Sequence, residues 1–284
     1  LGGVQVLHNT GVVTHISFGS EIGNITPLKF ISKIFEEEPE NYKYILKSCL
    51  NEGMSFADAR SKALIQYLEQ TDKCKIASAE SVIKSPNSIL AIEYIKALKR
   101  LKSDIEPITI KRVGSTYHSS RIENGFASAA SIRHEIAKNG LTPLVKNCLP
   151  SYSNEIIEQS ILSGKCPINY ETFSSMILGI IRRSSIDQIK SWMDVEEGLE
   201  FRLKKCGISA SNISEMLSSA KTKRYAYTRL ERILIHGLLN ITTEKMQRFK
   251  NANGPQYIRI LGFRKQASPL IKEIKKNASV PVIT

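Results

Sequence analysis

Apolar and polar positions alternate along this chain in two regimes, one with strands between helices and one almost wholly helical. Val12-Val13-Thr14-His15-Ile16-Ser17-Phe18 is apolar and β-branched enough to predict a largely buried strand, which runs into the small-residue turn Gly19-Ser20-Glu21. Helical spacing follows over 26–36, 40–52 and 55–70, with Ser55 and Asp58 placed as a capping box at the third start. Ser85-Pro86-Asn87 breaks the chain. Leu90, Tyr94, Ala97 and Leu101 then predict a helix over 88–101. Ile108-Thr109-Ile110-Lys111-Arg112 reads as a second strand that ends on two cations. A loop with Gly114, Tyr117 and His118 leads to a helix opening at 127–133, which closes at Lys138-Asn139-Gly140 with glycine as an αL cap.

Strands alternating with helices predict an α/β layer over the first part of the chain. Beyond Pro143 the period changes: 153–250 is nearly all helical, and only Tyr257 to Phe263 and Val280 to Ile283 look extended. The expected division is therefore an α/β domain over 1–145 and a mainly helical domain over 146–284.

Length and composition add bounds. The 284 residues, 42% hydrophobic, support real cores and favour two domains. No apolar run approaches the roughly 18 to 20 residues that cross a bilayer. Leu1-Gly2-Gly3 lacks the basic start and cleavage site of a signal peptide, and the chain reads as a fragment of a longer one. The five cysteines are odd in number and widely spaced without C-x-x-C, so a reducing cytoplasm is expected, with neither disulfides nor zinc.

The net charge of +13 is unevenly placed: 1–139 carries +3, 140–220 carries −1 and 221–284 carries +11. Cations so concentrated create a field that attracts polyanions and releases their counterions, which makes nucleic acid the first partner to consider.

Four constellations bear on chemistry. Ser128, Ser131 and Arg133 stand at a predicted helix N-terminus, where free N–H groups, the macrodipole, hydroxyls and a guanidinium suit a phosphate chain; Ser128 would serve equally as a plain N-cap. Lys111 and Arg112 end a strand, where α/β proteins present ligand contacts, although a pair of solvated charges fits the same pattern. Asn87, in the turn Ser85-Pro86-Asn87-Ser88, can offer donor and acceptor together to a base or ribose, or can simply open a helix. A helix predicted over 221–240, projected at about 100° per residue, gathers Lys221, Arg224, Tyr225, Thr228, Arg229, Arg232 and His236 on one face. Lys223 lies in the same basic run. The other face is apolar, so cations interleaved with an aromatic ring and an imidazole face outward, a composition suited to phosphates and unstacked bases. His8 reads as structural, and no Walker loop, G-x-G-x-x-G, nucleophile elbow or metal-ligand spacing is present.

Taken in order, Phe18-Gly19-Ser20-Glu21, Ser85-Pro86-Asn87-Ser88-Ile89-Leu90 with Glu93-Tyr94, Ile110-Lys111-Arg112 with Tyr117-His118, Ala127-Ser128 to Ile132-Arg133, Glu197-Gly198-Leu199-Glu200, and Lys221-Thr222-Lys223-Arg224-Tyr225 with Thr228-Arg229 and Arg232 resemble the bacterial tRNA(Met) cytidine acetate ligase family. The resemblance runs from about residue 10 to Thr284. It implies an α/β nucleotidylyltransferase-like, partially Rossmann-like domain followed by a mostly helical domain that holds tRNA.

It also implies activation of acetate by ATP, with Mg2+, to acetyl-adenylate, then attack by the wobble cytidine amine of elongator tRNA(Met) to give N4-acetylcytidine. Carried over by position, Gly19, Asn87 and Arg112 match ATP-binding residues, and Lys111 adjoins them. Ser128, Ser131 and Arg133 correspond to the superfamily's phosphate site, and Lys221 to His236 to the tRNA helix. The family's opening H-x-G-H motif has no counterpart here, so the fragment is expected to carry out little or no adenylation, and its catalytic group is unknown. Two other readings stay open: a nucleotidylyltransferase with a small-molecule acceptor, and a noncatalytic RNA-binding protein.

Overall fold

The computed structural model describes residues 1–112, 127–222 and 225–284. Tyr117, His118, Lys223 and Arg224 lie outside the described residues. Two compact units emerge, Leu1–Val113 with Asn253–Thr284, and Gly114–Ala252. This division differs from a single boundary at 145 in two ways: 114–145 belongs with the helical unit, and 253–284 packs with the first unit instead of extending the helical one. The basic surplus of 221–284 is thereby shared, with net +6 on 221–252 and net +5 on 253–284.

In the first unit α1 (Gly2–Asn9), β1 (His15–Ser20), α2 (Ile25–Glu37), α3 (Glu40–Asn51), α4 (Phe56–Thr71), α5 (Ile76–Ile83), α6 (Pro86–Arg100) and β2 (Glu106–Lys111) follow in order. β1 and β2 pair in parallel, His15 opposite Glu106 and Ser20 opposite Lys111. The first strand thus lies two to three residues beyond the predicted span. Ladder hydrogen bonds, ending with the Arg112 N–H on the Ser20 carbonyl at 2.9 Å, decide its limits; the apolar pattern that marked Val12 and Val13 does not. The residues marked as a turn, Gly19 and Ser20, are therefore the last rungs of β1. The expected helices appear as α2, α3, α4 and α6, the last beginning earlier because Pro86 suits the first helical turn. The short α5 was not foreseen. At the start of α4, Ser55 caps the Asp58 N–H, but the Asp58 carboxylate accepts from the Ser55 hydroxyl, so only half of the capping box forms.

Apolar stripes from α2, α4, α5 and α6 close one core, with Leu28, Ile31, Leu64, Leu68, Val82 and Ile92 all nearly inaccessible. Between them they remove the side chains of four amphipathic helices from water, the dominant stabilising term of such a layer.

The second unit is helical: α7 (Ala129–Asn139), α8 (Pro143–Lys146), α9 (Ser151–Leu162), α10 (Ser174–Arg183), α11 (Ile186–Ser191), α12 (Leu199–Ser209), α13 (Ile213–Ala220), α14 (Tyr227–Leu238) and α15 (Thr243–Asn251). Gly140 ends α7 with φ +75 but ψ −162, a positive-φ stop outside the expected αL cap. Ile177, Ile181, Ile189, Trp192, Leu203, Leu217, Leu230 and Ile233 share one core. α14 approaches Trp192 so closely that a Cβ on Gly237 would stand 2.7 Å from the indole ring.

The chain then returns to the first unit through β3 (Ile258–Arg259), α16 (Ser268–Asn277) and β4 (Val282–Ile283). β3 and β4 form a two-residue parallel pair, much shorter than the extended runs the sequence showed. The return is fixed on α1 and its exit: Ser279 donates to the Asn9 carbonyl at 3.0 Å, and Gly11, at φ +67, lies where a Cβ would meet the Asn277 carbonyl oxygen at 2.6 Å. No helix among the described residues is long and apolar enough to cross a membrane.

Candidate functional site

In the first unit the carboxyl ends of β1 and β2 and the N-terminus of α6 meet, the place where open α/β sheets receive ligands. Gly19 occupies the penultimate rung of β1, where a Cβ would lie 3.0 Å from Cγ of Arg112, so glycine lets the arginine stem cross the strand. Arg112 and Lys111 are both exposed, and no described residue pairs with either side chain. The buried Ser20 shares a hydrogen bond with Thr109 at 2.7 Å and accepts from the Gly23 N–H at 3.0 Å, which turns the chain back toward α2. Gly23 has φ +61, and a Cβ there would meet Lys111 Cβ.

Asn87 stands in the first turn of α6, half-buried, facing Glu21. The Glu21 carboxylate accepts from the Asn87 N–H at 3.2 Å, Asn87 Nδ2 at 2.7 Å, the Ser88 N–H at 3.0 Å and Ser88 Oγ at 2.9 Å. Burial pushes its pKa up, but the Asn87 and Ser88 side chains, with the backbone N–H groups of Glu21 itself and Asn87, outweigh that and hold it below the usual carboxylate range. The arrangement brings Gly19, Lys111 and Arg112 together at one strand end and ties Asn87 to it through Glu21. The sequence pattern included Glu21 within its motif but gave it no role, because a carboxylate after a strand acquires one only when a distant helix N-terminus is brought to it.

Ser128, Ser131 and Arg133 belong to the second unit. Ser128 caps α7 by accepting from the Ser131 N–H at 3.0 Å. Ser131 is buried, and its hydroxyl donates to the Ser128 carbonyl at 2.8 Å. The hydroxyls expected to face a phosphate are thus engaged in closing the helix turn, whereas the Arg133 side chain is exposed.

The basic helix differs from expectation in three respects. Lys221, Thr222, Tyr225 and Ala226 lie outside the helices: α13 ends at Ala220, whose carbonyl is capped by Arg202 Nε at 2.7 Å, and Thr222 Oγ1 accepts from the Tyr225 N–H at 3.1 Å before α14 starts at Tyr227. Tyr225, expected on the outer face, is 7% exposed, part of the core, and donates its hydroxyl to the Glu197 carbonyl at 3.3 Å. His236 is 9% exposed, and its Nδ1 lies 3.0 Å from the Met193 carbonyl. Arg229 and Arg232 do share an outward face, as predicted. Acidic partners reach them from the loop before α12: Arg232 Nε donates to Asp194 Oδ2 at 2.8 Å, and Arg229 Nη2 donates to the Asp194 carbonyl at 2.9 Å and to Glu196 at 3.5 Å. Asp194 holds φ +69 to do so, an unusual conformation for a residue other than glycine.

A family model described as HIGH Nucleotidyl Transferase matches residues 1–284. The chain is 38% identical over 285 residues to the tRNA(Met) cytidine acetate ligase of Halothermothrix orenii, covering all of this chain and 67% of that protein. It is 40% identical over 286 residues to the protein of the same name from Caldanaerobacter subterraneus subsp. tengcongensis, again over the whole chain and 68% of the relative. Among solved structures, Thermotoga maritima TmcAL in an apo form superposes with a TM-score of 0.89 at 32% identity, covering 100% of this chain and 66% of that one. The same protein bound with alpha-thio ATP gives a TM-score of 0.87 at 32% identity, with coverage of 100% and 65%. The chain thus spans about two thirds of the length of the relatives it matches.

Proposed function

The chain belongs to the HIGH nucleotidyl transferase family, and we propose that its protein is an ATP-dependent ligase that acetylates the wobble cytidine of elongator tRNA(Met). The observation carrying this reading is 36–40% identity along essentially the whole chain to several proteins named tRNA(Met) cytidine acetate ligase. A structural relative bound with an ATP analogue supports the nucleotide half.

In the proposed reaction an acetate oxygen attacks the α-phosphorus of ATP, forming the mixed anhydride acetyl-adenylate as pyrophosphate leaves. The cytidine N4 amine then attacks the acyl carbon, the acyl–oxygen bond breaks, AMP departs and the amine loses a proton to become the amide. Arg112 and Lys111, whose side chains have no partner among the described residues, are assigned to the nucleotide phosphates, and Asn87 to the nucleoside. Gly19 keeps the approach clear. Arg229, Arg232 and Lys221 are assigned to tRNA. Mg2+ ordinarily binds nucleotides through phosphate oxygens and one or two carboxylates. No group of three His, Cys, Asp or Glu side chains that could hold a metal ion occurs among the described residues.

Deleting the gene that encodes this chain tests the reading in its own cell: N4-acetylcytidine should vanish from elongator tRNA(Met) and return on complementation. Undiminished modification in the deletion strain would refute it. Acetylation by the intact protein should also require both ATP and acetate.

A further inference from the structure

Four donors converge on the Glu21 carboxylate, two on each oxygen. Oε1 receives the Asn87 N–H and Nδ2, and Oε2 receives the Ser88 N–H and Oγ. An ionised carboxylate can only accept. The first turn of α6 keeps it ionised, because two of the donors are helix N-terminal N–H groups beside the positive end of the macrodipole. This has a consequence for Asn87. An amide facing an acceptor-only partner must turn its NH2 toward it, since the opposite flip would set two oxygens against each other. Oδ1 of Asn87 therefore faces away from Glu21, and no described residue donates to it. The sequence allowed Asn87 to offer donor and acceptor together; the fold leaves the acceptor for a ligand.

We propose that Glu21 is a specificity-determining positioning residue: by locking the Asn87 amide with its carbonyl outward, it makes the nucleotide site favour a base that donates a hydrogen at that point. Adenine does so through its exocyclic amine, whereas guanine presents the O6 acceptor at the equivalent position. Two facing acceptors leave both unsatisfied, so the wrong base is rejected by more than a missing contact. The inference rests on the assignment of Asn87 to the nucleoside.

Competition of ATP and GTP against a fluorescent ATP analogue on the intact protein tests it. Glu21→Ala frees the amide to rotate, and the ratio of ATP to GTP affinity should fall by roughly tenfold, the scale of one exchanged hydrogen bond. Glu21→Gln, isosteric and safer for folding, should lower the ratio in the same direction. Combining Glu21→Gln with Asn87→Asp exchanges donor and acceptor within the pair while an oxygen still faces the base, so the preference for ATP should return. A ratio unchanged in both single variants overturns the proposal while leaving Asn87 as a nucleotide contact, provided Asn87→Ala weakens ATP binding. If Asn87→Ala leaves ATP affinity and the ratio untouched, the assignment of Asn87 fails and the proposal fails with it.

Discussion

Arg232 meets Asp194 through Nε alone, at 2.8 Å, and its terminal nitrogens have no partner among the described residues. Arg229, one helical turn earlier, is held more tightly: its Nη2 is engaged by the Asp194 carbonyl, and its guanidinium lies 5.8 Å from the centroid of the Tyr225 ring. Its side chain is 29% exposed against 56% for Arg232. The two arginines that the sequence made equivalent are therefore unequal.

Arg232→Ala should weaken tRNA binding more than Arg229→Ala, by about 1 kcal/mol, with a shallower dependence on salt. Arg229→Ala should instead lower the melting temperature, because it releases the carbonyl of the positive-φ residue Asp194. Filter binding across a salt series and thermal unfolding check the pair; equal effects on both readouts would contradict the asymmetry.

Tyr225 separates two pictures of the basic segment. Had it stood on the outer face to stack on a base, Tyr225→Ala would impair RNA binding in a stably folded protein. In the core beneath α14, the same change should cost about 3 to 5 kcal/mol of stability, whereas Tyr225→Phe, which loses only the bond to the Glu197 carbonyl, should cost about 1 kcal/mol. Denaturant unfolding of the two variants measures the difference.

Gly237 is fixed by contact. A methyl there would overlap the Trp192 ring at 2.7 Å, so Gly237→Ala should destabilise the helical unit by about 1 to 3 kcal/mol through overpacking. Indole fluorescence should report it directly, since this is the chain's single tryptophan.

The N-terminus of α13 is acid-sensitive. Glu171 accepts from the Ser214 hydroxyl, from the Ser214 N–H at 2.7 Å and from the Ile213 N–H at 3.1 Å, and these donors, the hydroxyl foremost, hold its pKa below the usual carboxylate range. A depressed folded-state pKa contributes stability that is present above the unfolded value and is lost as pH falls through the folded one. Wild-type stability should therefore drop below about pH 4.5 by an increment that Glu171→Gln abolishes, visible as a difference between their melting temperatures that closes on acidification.

Glu200 is 4% exposed, and its Oε2 has no hydrogen-bond partner among the described residues. Replacing an uncompensated buried carboxyl by an apolar chain of similar volume removes a desolvation cost, so Glu200→Met should raise stability by about 1 to 3 kcal/mol. A fall in melting temperature would show that the carboxyl makes a contribution its surroundings do not reveal.

Amphipathic period alone identified α2, α3, α4, α6 and the apolar stripe of α14, since each depends on spacing within one segment, and the sheet strands were found to within a few residues. A helix starting at Lys221 was expected because nothing local stops one there; Lys221 and Thr222 lie outside it, and the end of α13 at Ala220 is closed by Arg202, a side chain from α12. The candidate site divided in the same way. The placement of Gly19, Lys111 and Arg112 at one strand end was legible because strand ends carry a positional meaning, whereas the contacts of Glu21 and Asp194 were not, because each acts on residues dozens of positions away.

By itself, the sequence determined what is local: which stretches are helical or extended, where the cations accumulate, and an ordered set of motifs that marks a family. Tertiary structure decided which of those residues face one another. It returned the last thirty residues to the first unit, brought acids to the arginines of α14, buried Tyr225 and His236, and turned the Asn87 amide. The reason is that pattern carries the periodicity of a single segment, whereas the state of a charge or an amide depends on the partners that chain folding delivers to it.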